Sequence, residues 1–141
     1  MKSLAFWKRL APGPQGVDLG QNPSINVLSL IGGTKPANLR YLVFIMRLNG
    51  EVSAVWIPIH TSTNPHFVLK SEQLDSSDPS IRTYAGVHFN WDHNSWVLTA
   101  QNCYWNSTYW HDNYGNIEIT DGDHNLSGVV FSFYDIYGVF D

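Results

Sequence analysis

The sequence predicts an all-β fold, an antiparallel β-sandwich of jelly-roll-like type preceded by a short N-terminal helical turn and an extended arm. Three observations predict it. Short runs rich in Val, Ile, Phe, Tyr and Trp recur at roughly eight to twelve residue intervals, the rhythm of sandwich strands and turns. Asn49-Gly50 separates two long apolar runs, and this dipeptide supplies the positive φ angles that a two-residue hairpin turn requires. No convincing amphipathic helical period follows Pro23.

From the N-terminus, Leu4, Phe6, Trp7 and Leu10 are spaced for about two helical turns over Ser3 to Leu10, ended by Pro12 and Pro14. The breaker-rich run up to Pro23 reads as an arm, so residues 1–23 are expected to be an attachment arm and 24–141 the sandwich. Such an arm is either a frayed terminus or a tether, and Phe6, Trp7 and Leu10 are the candidate assembly residues that would dock on a neighbouring subunit. Strand signals then run over Ile25 to Ile31, Arg40 to Leu48 and Val52 to Ile59. A two-residue turn at Asn49-Gly50 places Ile45 opposite Ala54 and Val43 opposite Trp56. Leu42, Phe44 and Met46 make the other face apolar as well, so this hairpin must be covered on both sides, by an arm or by a second subunit. Beyond it, His66 to Lys70 reads as a short strand and Ser71 to Ser80 as a surface loop. Further strands are expected at Arg82 to Phe89, Trp96 to Gln101, Cys103 to Trp110, Asn116 to Thr120 and Ser127 to Tyr137.

Composition narrows function. The 141 residues suit one domain around one core, and charged residues make up only 14% against a globular norm of roughly a quarter. Eight Lys plus Arg and a net charge of −4 argue against a nucleic-acid partner, whose phosphates need clustered cations. No run approaches the length of a membrane span, and no secretory leader pattern is recognised. Cys103 is the only cysteine, so packing and not an internal disulfide must hold the fold.

The second half is loaded with aromatics, and Trp96 and Tyr104, set among aliphatic residues, are expected in the core. Trp91 and Trp110 stand at predicted turns inside polar clusters. A ring face stacks on pyranose C–H groups while short polar side chains take the hydroxyls, so Trp91, Asp92, His93, Asn94, Trp110, His111, Asp112 and Tyr114 are the candidate ligand-binding surface. Asp121-Gly122-Asp123 begins like a calcium loop, but Ser132 stands where the bidentate Glu belongs, and turn-forming Asx residues explain the cluster without metal. Neither metal nor cofactor is expected. No nucleophile elbow, P-loop or dinucleotide fingerprint occurs, so the chain is expected to bind or assemble, not to catalyse.

Two segments resemble a known group. Leu39-Arg40-Tyr41-Leu42-Val43-Phe44-Ile45-Met46-Arg47-Leu48-Asn49-Gly50 with Trp56-Ile57-Pro58-Ile59 resembles a hairpin of small β-sandwich domains in tailed-bacteriophage fibre, baseplate and head-decoration proteins. Val129 to Val139 resembles the final strand of such domains. Pro58 and the aromatic middle segment depart from that pattern. The resemblance implies a virion structural protein, a homo-oligomer and most often a trimer, in contact with other virion proteins and able to bind host cell-surface glycan. The alternative is a free-standing extracellular carbohydrate-binding module.

Overall fold

The computed structural model describes residues 6–74, 81–111, 116–119 and 130–141, and among them nine strands form two antiparallel sheets. The first sheet has the order β1 (Phe6–Pro12), β9 (Phe131–Phe140), β3 (Leu39–Leu48), β4 (Glu51–Pro58). The second runs β2 (Ser24–Asn26), β7 (Val97–His111), β6 (Ile81–Asp92), β5 (His66–Leu74), and β8 (Asn116–Ile119) pairs with the far end of β7. An all-β sandwich is therefore the fold.

The β3–β4 hairpin has the register that its turn dictates. Leu48 pairs with Glu51, Ile45 with Ala54 and Val43 with Trp56. Asn49 and Gly50 take φ of 50° and 98°, the paired positive values of a type I′ turn. Asn49 is also tied to the entry of β9, its N–H donating to the Val130 carbonyl and its Oδ1 accepting from the Val130 N–H. Strand alternation sends Leu42, Phe44, Met46 and Leu48 inward, where all four are fully buried. They meet Val87, Phe89, Trp91 and Leu98 of the second sheet in one core. The Phe44 ring lies 5.4 Å from Phe133 and 5.7 Å from Trp91, so aromatic contacts join both sheets.

The N-terminal segment differs from expectation. Over residues 6–12 there is no helical turn but a strand, β1, paired antiparallel with β9 from Phe6↔Phe140 to Pro12↔Asp135. A helix of two turns is too short to offset its nucleation cost, whereas the edge of β9 offers a complete ladder. One extra residue, Leu10, sits in a β1 bulge and packs against the core. The arm continues inward. Gly13 donates its N–H to the Tyr134 carbonyl, and a Cβ there would fall on the Phe133 carbonyl, so only glycine fits this approach. Leu19, in a 3-10 turn at Leu19–Gln21, is buried, and Val17 packs beside it on the core. Residues 6–23 are thus built into the sandwich and are not a detached arm.

Three further boundaries are corrected. The expected strand Ile25 to Ile31 divides into β2 and one helical turn, α1 (Val27–Leu30). Asn26 caps α1 by accepting the Ser29 N–H, and Gly32 and Gly33, both at positive φ, end it. β5 runs on to Leu74, taking in the first part of the expected loop, and Ser71 is buried; residues 75–80 lie outside the described residues. The two strands expected at Trp96–Gln101 and Cys103–Trp110 are one, β7, interrupted by a bulge. Gly86 pairs with Tyr104 and His88 with Gln101, so β7 carries one residue more than β6 between these points. Trp96 itself has φ of 57° and closes the preceding turn.

Candidate functional site

Two outer surfaces carry features beyond fold maintenance. On the first sheet, strand alternation places Trp7 on β1, Tyr137 and Val139 on β9, Tyr41 and Val43 on β3 and Trp56 on β4 on the side away from the main core. The rings close over the strands between them. Trp7 and Trp56 meet edge to face at 4.9 Å, Tyr41 meets Trp56 at 5.4 Å, and Trp7 meets Tyr137 at 6.2 Å. Beneath them Val43 is fully buried and Val139 nearly so, although neither belongs to the central core. The cover required over the hairpin's second face therefore comes from the chain's own β1. It is incomplete: Trp7 and Trp56 remain 51% and 47% exposed. Phe6, stacked on Phe140 at 5.3 Å, is another half-exposed ring at this end of the sheet. Arg9 and Asp135 form an ion pair of 2.7 Å on the same face.

Of the expected assembly residues, Phe6 and Trp7 are thus exposed in part, and Leu10 is turned to the core. Tyr41, Trp56 and Tyr137, absent from the sequence-derived candidates, complete the aromatic face. The signal that could have found Trp56 was its alternation against the buried Ile57 on the same strand.

The second surface surrounds the β6–β7 turn. Trp91, expected to face a ligand, is 1% exposed and packs against Phe44 and Trp96, with ring centroids 5.7 and 5.9 Å away. It is a core residue because it lies on β6, two positions from the buried Phe89, and so shares its inward face. Trp96 is buried, as expected, with the Lys35 ammonium 5.3 Å from its ring centroid. Asp92, His93 and Asn94 do come together in the turn, each with a structural partner. Asp92 Oδ1 accepts the N–H groups of Asn94 and Ser95 at 2.9 and 3.2 Å. His93 donates its backbone N–H, and through Nδ1 its ring N–H, to Asn64 Oδ1. The Asn94 carbonyl accepts from Lys35 Nζ at 3.0 Å. Trp110 and His111 end β7, paired with Ile117 and Asn116, and are not at a turn as expected; their side chains, with Asp112 and Tyr114, lie outside the described residues.

The two backbone N–H groups, Asn94 first, hold the Asp92 carboxyl below its ordinary pKa of 3.8. A depressed carboxylate pKa contributes stability above the unfolded-state value, and that contribution is lost as pH falls through the folded-state value. The stability advantage of wild type over Asp92→Ala is therefore full above about pH 4 and shrinks in stronger acid. Thermal melts of both proteins across that range check this; a gap independent of pH would contradict it.

Beside the turn lies an open pocket of about 470 Å³, lined by Asn64, Asn90, Trp91, Asp92, Ser95, Val97 and Thr99. Register explains the convergence: Asn90 pairs with Thr99 and Asp92 with Val97, all on the outward side of the second sheet. No family model, curated protein or solved structure matches the chain. The fold and these two surfaces define an all-β sandwich with one aromatic and one polar outer face.

Proposed function

We propose that the chain is a non-enzymatic structural and adhesion subunit of a virion, of the tailed-phage type its hairpin and final strand resemble, and that it associates with further copies of itself through the aromatic face. The observation that supports this is the cluster of Trp7 and Trp56, each about half exposed, with the partly buried Tyr41 and Tyr137. A large aromatic side chain carries roughly 150–250 Å² of surface, so Trp7 and Trp56 at half exposure leave on the order of 200 Å² of ring surface in water, to which the partly exposed Tyr41 and Tyr137 add. A contiguous apolar patch approaching a few hundred Å² with a polar rim marks an interaction site. Tryptophan and tyrosine also form the energetic centre of interfaces, with a polar rim supplying the rest of the roughly 800 Å² needed per partner. Arg9 and Asp135 place both signs of charge on this face, so a second copy meets it without net like-charge repulsion.

Light scattering after size exclusion tests the reading. Wild type is expected at a multiple of 16.0 kDa, with a trimer the stoichiometry the resemblance implies. Trp7→Ala and Trp56→Ala are each expected to weaken association about thirtyfold or more, the effect of a hot-spot residue. Melting curves show whether each variant still folds. A monomer at every concentration, or an oligomer indifferent to both substitutions, would overturn the proposal. The second reading, a free-standing carbohydrate-binding module, draws support from the polar pocket on the opposite sheet and predicts a monomer.

A further inference from the structure

We infer that the polar pocket beside the β6–β7 turn binds a neutral saccharide, a site independent of the aromatic face. Its lining offers two carboxamides, Asn64 and Asn90, one carboxylate, Asp92, and two hydroxyls, Ser95 and Thr99. Among the described residues no Lys, Arg or His lines it, and this lining has no cation with which to hold a phosphate, sulfate or carboxylate. Val97 supplies an apolar patch among these groups. Donors, acceptors and a small apolar wall in one concavity match a pyranose, which has hydroxyls on its rim and C–H groups on its faces. The volume falls in the range of small-molecule sites.

Two of the polar groups are fixed before any ligand arrives. Asp92 is locked by the Asn94 and Ser95 N–H groups, which keeps a charged acceptor in one orientation. Asn64 is locked through its oxygen by His93, which leaves its –NH₂ as the end that can donate. Preorganised acceptors and donors lower the ordering cost of binding, which matters for sugars, whose hydroxyls must exchange water for protein with little net gain. In this arrangement the Asp-His-Asn turn is scaffolding for the site, with His93 a positioning residue. The sugar is recognised beside the turn and does not stack on Trp91, whose ring is in the core. The pocket lies on the second sheet and the aromatic cluster on the first, so assembly through one would leave the other facing outward.

The test is a titration of isotope-labelled full chain with the methyl glycosides of glucose, galactose, mannose and N-acetylglucosamine, followed by amide NMR. The expected result is that at least one sugar shifts the amides of residue 64 and of residues 90–99, and that Thr99→Val and Asn64→Ala each weaken binding about tenfold. Thr99→Val keeps the β-branched shape, so loss of binding with an unchanged melting curve is loss of the hydroxyl. No shift with any of the four sugars at millimolar concentration overturns the assignment. Shifts centred on Trp7 and Trp56 overturn it as well and move saccharide binding to the aromatic face. The oligomeric state, measured separately, distinguishes failure of this site from failure of the assembly reading.

Discussion

Trp91→Ala is expected to lower folding stability by about 3–5 kcal/mol, the usual cost of deleting a large buried aromatic. Its ring is 1% exposed and touches Phe44 of the facing sheet and Trp96 of its own turn. Truncation leaves a cavity at the point where both sheets meet, and neither neighbour can fill it without leaving its own packing. Chemical denaturation with matched slopes for wild type and variant would measure the loss. A residue that merely stacked on a ligand would behave in the opposite way, with stability unchanged and affinity gone. A cost under about 1 kcal/mol would place the ring at the surface.

Gly13→Ala is the second large effect. The methyl would meet the Phe133 carbonyl, which is backbone and held in β9, so no side-chain rotation relieves the collision. The chain must move instead, giving up the Gly13 to Tyr134 hydrogen bond and straining the β1–β9 ladder. Overpacking of this kind costs about 1–3 kcal/mol, and more when backbone must shift. Because β1 carries Trp7, the variant is also expected to uncover Val43 and to quench less of the Trp7–Trp56 contact. Denaturation curves combined with tryptophan fluorescence check both consequences; a variant as stable as wild type with an unaltered spectrum would contradict the approach of Gly13 to β9.

How far the sequence disclosed this structure depended on how local each cause was. The β3–β4 hairpin was legible because Asn49 and Gly50 encode the turn and the turn encodes the register. β1 carries a helical spacing at Phe6, Trp7 and Leu10, and only its pairing with β9, more than a hundred residues away in the sequence, outweighs it. The β7 bulge likewise made one strand look like two. The aromatic face is not encoded locally, because Tyr41, Trp56 and Tyr137 come from three strands, none of which marks its rings as exceptional. The pocket was partly legible. Asp92 stands in a recognisable polar turn cluster, but Asn64 and Thr99 join it through a loop crossing and a strand register that no spacing announces.

The position of β9 between β1 and β3 has a consequence for timing. Trp7, Tyr41 and Trp56 are all made before β9, yet β1 and the β3–β4 hairpin share no strand until residues 131–140 leave the ribosome. Long-range pairings of this kind form late, after local hairpins. β9 is therefore the keystone of the first sheet, and the aromatic face comes into being only with it. A nascent chain in which β9 has not been made has no such surface to offer a neighbour on the same polysome, so the association proposed above must wait for that strand.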